Sequence, residues 1–455
     1  MKIIFTLLIA LATNLLSAQI TFQHTFGPAG GFDYSLCGIP VSTGGYIMAM
    51  NSDDNSTDGQ DMVMLRTDLY GVETWRVYFG SPGWEIATDI IETSDGGFAM
   101  CGSWNGLGSD SAVVIKTDAS GNLQWLTKII PEPGRAVAHD LVQIQDGSIL
   151  VTGFTTSNGF LAKLDATGNL AWQKIYGNDD GVLFAIQEMN GNGFILGGTT
   201  AANGTADFWL VRTDANGDTL WTKALGTTID EEEGYDVCTT QDGGFAICGY
   251  QYQSGGDAVL IKTNSSGTQQ WMETYDGGGW EQCHSLAETW DGGFALAGRK
   301  ENPSNVNHMW LIRTDASGSF MWDRTYPMNS VSGGDNIENC PDGGFLIAGS
   351  ASNPSDAYLV KTESAGWVSV PESTMPDGDF TVFADQTNAL LLVRFNEALP
   401  GRRIRITDIQ GKEVANDAGG EMLSTFSTVE LASGMYVVSA VNPDGTIVSR
   451  KVALH

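Results

Sequence analysis

A four-residue turn, Asp-Gly-Gly followed by an aromatic, recurs along this chain at a spacing that leaves few folds open. It stands at Asp95–Phe98, Asp242–Phe245, Asp291–Phe294 and Asp342–Phe345, and weaker copies end at Tyr46, Ile149 and Phe194. The seven end positions lie 45 to 52 residues apart, a period that marks a repeat architecture in which no single unit buries its own apolar faces. After each turn comes an apolar run closing on a basic residue: Arg66-Thr67-Asp68, Lys116-Thr117-Asp118, Lys163-Leu164-Asp165, Arg212-Thr213-Asp214, Lys262-Thr263-Asn264, Arg313-Thr314-Asp315 and Lys361-Thr362-Glu363. In the first six copies a Trp follows nine residues later, at Trp75, Trp125, Trp172, Trp221, Trp271 and Trp322.

Each unit reads as four short strands. In the fifth, Asp236–Thr240 is the first strand, the Gly pair makes the tight turn, Phe245–Gly249 is the second, Asp257–Thr263 the third and Trp271–Tyr275 the fourth. Glycine supplies the positive φ that such hairpins need. Four antiparallel strands in about 50 residues, seven times over, predict an all-β fold: a seven-bladed β-propeller over residues 19–367. The seventh unit lacks a fourth strand, since Val368-Ser369-Val370-Pro371 stands in its place. Near the N-terminus Phe22-Gln23-His24-Thr25-Phe26-Gly27 repeats the pattern of Trp271–Asp276. Residues 22–26 are therefore expected to complete blade seven and leave no free sheet edge.

The two ends of the chain carry different signals. Lys2, the apolar run Ile3–Leu16 and the small pair Ser17-Ala18 read as a signal peptide, 1–18, and no later run is long and apolar enough to span a bilayer. Residues 368–378 are polar and form a linker. From 379 to 455 the composition changes to alternating strands at Phe380–Phe383, Ala389–Phe395, Arg402–Asp408 and Met435–Val441, the pattern of a small β-sandwich. Within it stand Ile406-Thr407-Asp408-Ile409-Gln410-Gly411-Lys412, then Val429-Glu430-Leu431-Ala432-Ser433-Gly434-Met435-Tyr436-Val437-Val438, then Arg450-Lys451-Val452. This ordered series resembles the C-terminal sorting domain of the type IX secretion system of Bacteroidetes. One departure is Phe383-Ala384-Asp385-Gln386, where those domains usually carry proline and asparagine. The resemblance implies that residues 379–455 engage the type IX machinery and that the protein reaches the cell surface or the medium. The repeats likewise resemble the D-G-G-[FY] repeats of proteins with such a domain.

Charge narrows the partners. Asp and Glu number 54 against 23 Lys and Arg, a net charge of −31, which repels nucleic acid and anionic membrane and leaves neutral glycans, proteins and divalent cations. Six cysteines are too sparse for a disulfide scaffold; Cys238 and Cys248 flank one hairpin turn and are either a facing pair or buried thiols. Motifs of hydrolases, phosphate-binding loops and dinucleotide folds do not occur. Asp54-Asn55-Ser56-Thr57-Asp58-Gly59 places three oxygen side chains (Asp54, Ser56, Asp58) around a turn and is the candidate calcium loop. Trp84 and Trp280 occupy matching loop positions, each followed by an acid, Glu85 and Glu281, and these four are the candidate ligand-binding residues on the rim. The sequence thus reads as a secreted or surface binding module for extracellular glycan or protein. The alternative is a glycoside hydrolase or lyase using loop carboxylates.

Overall fold

The computed structural model describes residues 20–368, apart from short segments at 28–30, 55–58, 106–109, 132–133, 178–180, 203, 228–230, 253–255, 328–330, 353–355 and 367, together with much of 380–454. The expected signal peptide, 1–18, and the expected linker beyond residue 368 lie outside the described residues. The chain divides into two compact units, 1–369 and 370–455. Every regular element among the described residues is a β-strand.

Seven four-stranded antiparallel sheets make up the first unit. In chain order, sheets one to six span 33–79, 84–129, 136–176, 181–225, 232–275 and 281–326. The seventh takes three strands from 331–361 and its fourth from Phe22–Phe26, which pairs antiparallel with Asp356–Lys361 in the register Phe22↔Lys361 to Phe26↔Ala357. First strands of successive sheets touch one another, and the first strand of sheet seven touches that of sheet one, so the succession closes on itself around an axis lined by first strands. Second and third strands are almost wholly buried. Their apolar residues from neighbouring sheets form shared clusters: Met48, Met50, Val63 and Leu65 of sheet one pack with Phe22, Phe26, Leu346 and Leu359 of sheet seven.

The repeated motifs are scaffold, and each has a visible task. In the Asp-Gly-Gly turn of sheet two, Asp95 Oδ1 accepts from Thr93 Oγ1 (2.6 Å), Gly97 N (3.1 Å) and Lys116 Nζ (3.0 Å). Lys116 is the basic residue that closes the third strand, so the two signatures are halves of one tie between a buried lysine and a half-exposed aspartate. The same tie joins Lys262 to Asp242, Arg313 to Asp291 and Lys361 to Asp342. Where sheets one and four lack the Asp, an Arg replaces Lys and its longer fork donates to turn carbonyls instead: Arg66 to Gly44 and Tyr46, Arg212 to Asn192 and Phe194. The fourth-strand Trp serves the joint between sheets. Its ring lies under the third-to-fourth-strand turn of the next sheet, so that a Cβ on Gly168 (φ +84°) would sit 2.5 Å from Trp125. At the closing joint Phe22 and His24 take that place beneath Gly71.

A second set of ties runs around the axis. Each first strand has an irregularity in its pairing at the same place, and in five of the seven sheets the residue after it accepts a main-chain hydrogen bond from the next sheet. Asp89 accepts from Leu141 N (3.1 Å), Asp140 from Ile186 N (2.7 Å), Asp236 from Leu286 N (2.9 Å), Ser285 from Ile337 N (3.2 Å) and Asn336 from Gly38 N (3.2 Å). All six cysteines are buried and free. Cys238 lies across from Ala246, and Cys248 from Asp236, so the two thiols at this hairpin are out of register with each other.

In the second unit, a three-stranded sheet (Phe380–Asp385, Leu390–Phe395 and Leu423–Ser427) and a four-stranded one (Arg403–Asp408, Glu413–Asp417, Gly434–Val441 and Ile447–Leu454) share one core. Leu391, Val393 and Phe395 of the first meet Ile404, Ile406, Tyr436 and Val438 of the second. Buried Arg402 lays its guanidinium 4.1 Å from the centre of the Phe395 ring.

Candidate ligand-binding face

The residue inside each first-strand irregularity escapes the regular pairing, and its identity changes from sheet to sheet. In sheets three to six these residues are His139, Phe184, Tyr235 and His284. They form the spine of a continuous aromatic band. His139 meets Phe184 edge-on (4.7 Å between centroids), Phe184 stacks on Tyr235 (5.1 Å), and Tyr235 contacts Tyr250 (5.8 Å) and His284 (5.2 Å). The band continues through Tyr252 to Trp280 (5.7 Å). Tyr252 is 41% exposed at the end of this run, Trp280 is half-buried, and Tyr250 is buried beneath them. Such rings present flat apolar faces held at low conformational cost.

Polar groups fix the band from below. Glu233 accepts from three phenols, Tyr235 (2.6 Å), Tyr250 (3.1 Å) and Tyr252 (2.9 Å). The main chain of Tyr252 is tied to Glu231 O (2.9 Å). Beside Tyr235, His284 Nδ1 and the Arg299 guanidinium both meet Asp335 Oδ1, at 3.0 and 3.1 Å. Against its burial, the hydrogen bond to His284 and the charge of Arg299 hold the Asp335 carboxyl below its ordinary range. Burial lowers the pKa of His139 to about 4, so its ring is neutral.

Of the residues singled out in the sequence, Trp280 belongs to this band. Trp84 is 54% exposed on sheet two. Glu85 and Glu281 are fully buried and turned away from the rim. Glu85 accepts from Ser81 N (3.1 Å) and Oγ (2.8 Å), and Glu281 from Gly279 N (2.9 Å). Their places at the start of a first strand send the side chains into the joint with the preceding sheet. In the candidate calcium loop, Ser56 and Asp58 lie outside the described residues. Asp54 stands 3.7 Å from the Arg76 guanidinium, which already offers it a cation. The tyrosines of the band went unread in the sequence because they follow no repeat; the signal for them is a position at which the repeat is silent.

No family model matches this chain, and no curated protein matches it. Among solved structures it is similar to a protein of unknown function from Bacteroides caccae (12% identity, 58% of this chain and 90% of that one, TM-score 0.40). It is also similar to the extracellular domain of the hybrid two-component system BT4673 from B. thetaiotaomicron (11% identity, 93% and 57%, TM-score 0.47). A third is PorZ, a surface component of the type IX secretion system of Porphyromonas gingivalis (11% identity, 90% and 69%, TM-score 0.40). At these scores the similarities carry no assignment for this chain.

Proposed function

We propose that this chain is an exported seven-bladed β-propeller with a C-terminal β-sandwich for type IX secretion, and that it binds an extracellular glycan on the face carrying the aromatic band. The observation that supports binding is the band itself: Trp280 and Tyr252 present ring surface at its edge, over a layer whose hydroxyls are already gathered by Glu233. A pre-ordered aromatic platform is what a sugar ring's apolar face requires, and satisfied hydroxyls below it keep the platform from rearranging. A neutral glycan also suits the net charge of −31.

Five acids of the first strands are taken up by the fold. Glu85, Glu232 and Glu281 are buried in joints between sheets, Glu233 holds three phenols and Asp335 is neutralised by Arg299 and His284. Residues 1–18 and the sorting-domain series support export, which in this reading ends at the cell surface or in the medium.

Screening the purified chain on a glycan array, with a reducing-sugar assay on each hit, tests this reading. The expected result is binding without release of reducing ends, weakened about fivefold or more by Trp280→Ala, taking ring stacking on one aromatic as on the order of 1–3 kcal/mol. Reducing ends released by the wild type and not by a Glu233→Gln variant would overturn it in favour of a glycoside hydrolase.

A further inference from the structure

We propose that Asp257, Asp276 and Glu281 form a binding site for a divalent cation of the calcium class at the joint between the fifth and sixth sheets. One carboxylate oxygen from each of the three lies within 4.8 Å of the other two. Calcium binds oxygen at roughly 2.3–2.6 Å, so two of its ligands stand at most about 5 Å apart, and this triplet falls inside that limit. The donors are all hard oxygens, which select calcium over the softer transition metals.

A second, independent observation points to a ligand. Glu281 is fully buried, and its Oε2 has no hydrogen-bond partner among the described residues, while Oε1 takes the Gly279 N–H. A buried carboxylate oxygen left without a partner costs free energy unless a cation or proton meets it. The lysine whose stem passes Gly277, Lys300, has its ammonium committed to Asp323 (3.0 Å) and stacked over Trp310.

Comparison of the seven joints strengthens the case. The residue five before the basic end of each third strand is the one to compare with the start of the next sheet's first strand, and at five of the seven joints a main-chain bond crosses there, among them Glu281 N to Gly256 O, Glu232 N to Ala206 O and Glu85 N to Gln60 O. Both positions are acidic at Asp257/Glu281, Asp207/Glu232, Asp61/Glu85 and Asp356/Asp33. Both are non-acidic at Ser111/Ala136, Asn158/Gly181 and His308/Ser332. Acids placed independently would leave mixed joints, and there are none. The two acids come together because they share something between them. At three acidic joints a glycine follows the fourth strand and lies against the carboxylates, at Gly27, Gly80 and Gly226. At the fifth joint Asp276 stands in that place and adds the third oxygen ligand, with Gly277 beside it too close to Glu281 to bear a Cβ.

Calorimetric titration of calcium chloride into the full chain, stripped beforehand with chelator, tests the site. The expected result is saturable binding and a melting temperature raised by calcium. Asp276→Gly restores the pattern of the sister joints and is expected to keep the calcium-free melting temperature. It should weaken binding by more than roughly tenfold, the loss that even an outer-shell partner causes. Glu281→Gln is expected to do the same to binding. Asp54→Ala is expected to leave it unchanged. The proposal is overturned by the absence of calcium binding, or by binding that Asp276→Gly and Glu281→Gln leave intact. It is equally overturned if Glu281→Gln raises the melting temperature of a chain that calcium does not stabilise, which would mean that the acids share a proton.

Discussion

Individual carboxylates in this protein fall into two groups with opposite pH behaviour. In the turns, hydrogen bonds and a paired cation outweigh burial: Thr93, Lys116 and Gly97 hold Asp95 down at about 2, and Thr240, Lys262 and Gly244 do the same for Asp242. These acids are deprotonated more readily in the folded chain, so their contribution is present above pH 4 and is lost as the pH falls toward 2. At Asp236 and Glu338, near the axis and without a paired cation, burial dominates instead. It pushes Asp236 up to about 6, and burial with the charges of Asp236 and Asp89 pushes Glu338 up to about 8. The folded chain here holds protons that the unfolded chain releases, so stability falls as the pH rises from about 4 to 8. The melting temperature is expected to peak between about pH 4 and 6. Glu338→Gln, which mimics the neutral acid, should raise the melting temperature at pH 8 and leave it unchanged at pH 4. An equal change at both pH values contradicts this reading.

At the scale of the element, the strands repeat because their ties repeat. The Asp of the turn and the basic residue of the third strand were legible as separate motifs, and their union in one hydrogen-bonded cluster explains why both recur. The Trp was legible as a repeated position, whereas its partner, the glycine turn of the next sheet, was not, because it is remote in sequence. Gly168 illustrates the joint: it needs positive φ and also leaves no room for a side chain above Trp125. Gly168→Ala is expected to cost roughly 2–4 kcal/mol, about 1 from the backbone and the rest from overpacking, read as a lower denaturant midpoint. Gly243→Ala, where nothing lies within 4 Å of the new Cβ, should cost only the backbone share.

The candidate site was less legible, for a physical reason. Glu85 and Glu281 follow an exposed or half-exposed Trp and read as rim acids, yet strand alternation turns them inward. The spine of the aromatic band arises from residues that are far apart in sequence and occupy the one first-strand position where the pairing slips. Periodicity reports what the repeats share, whereas binding depends on what differs between them.

For the whole molecule, the decisive feature is closure by the strand Phe22–Phe26. Its resemblance to the fourth strands was visible in the sequence because Phe22 and Phe26 fall where Trp271 and Tyr275 do. In the structure they are buried against sheets one and seven. Without this strand, sheet seven has a free edge and the turn at Gly71 loses the rings beneath it. Burying two phenylalanines is worth about 1.5–3 kcal/mol each, and in a closed ring that loss is felt by every joint.

Thermal unfolding of the mature chain with and without residues 20–27 is the most direct test. The account predicts one cooperative transition for the repeat unit, shifted down by roughly 5–10 °C in the shortened chain, together with new self-association through the exposed edge. An unchanged transition temperature, with the shortened chain still monomeric, would contradict closure of the ring by this strand.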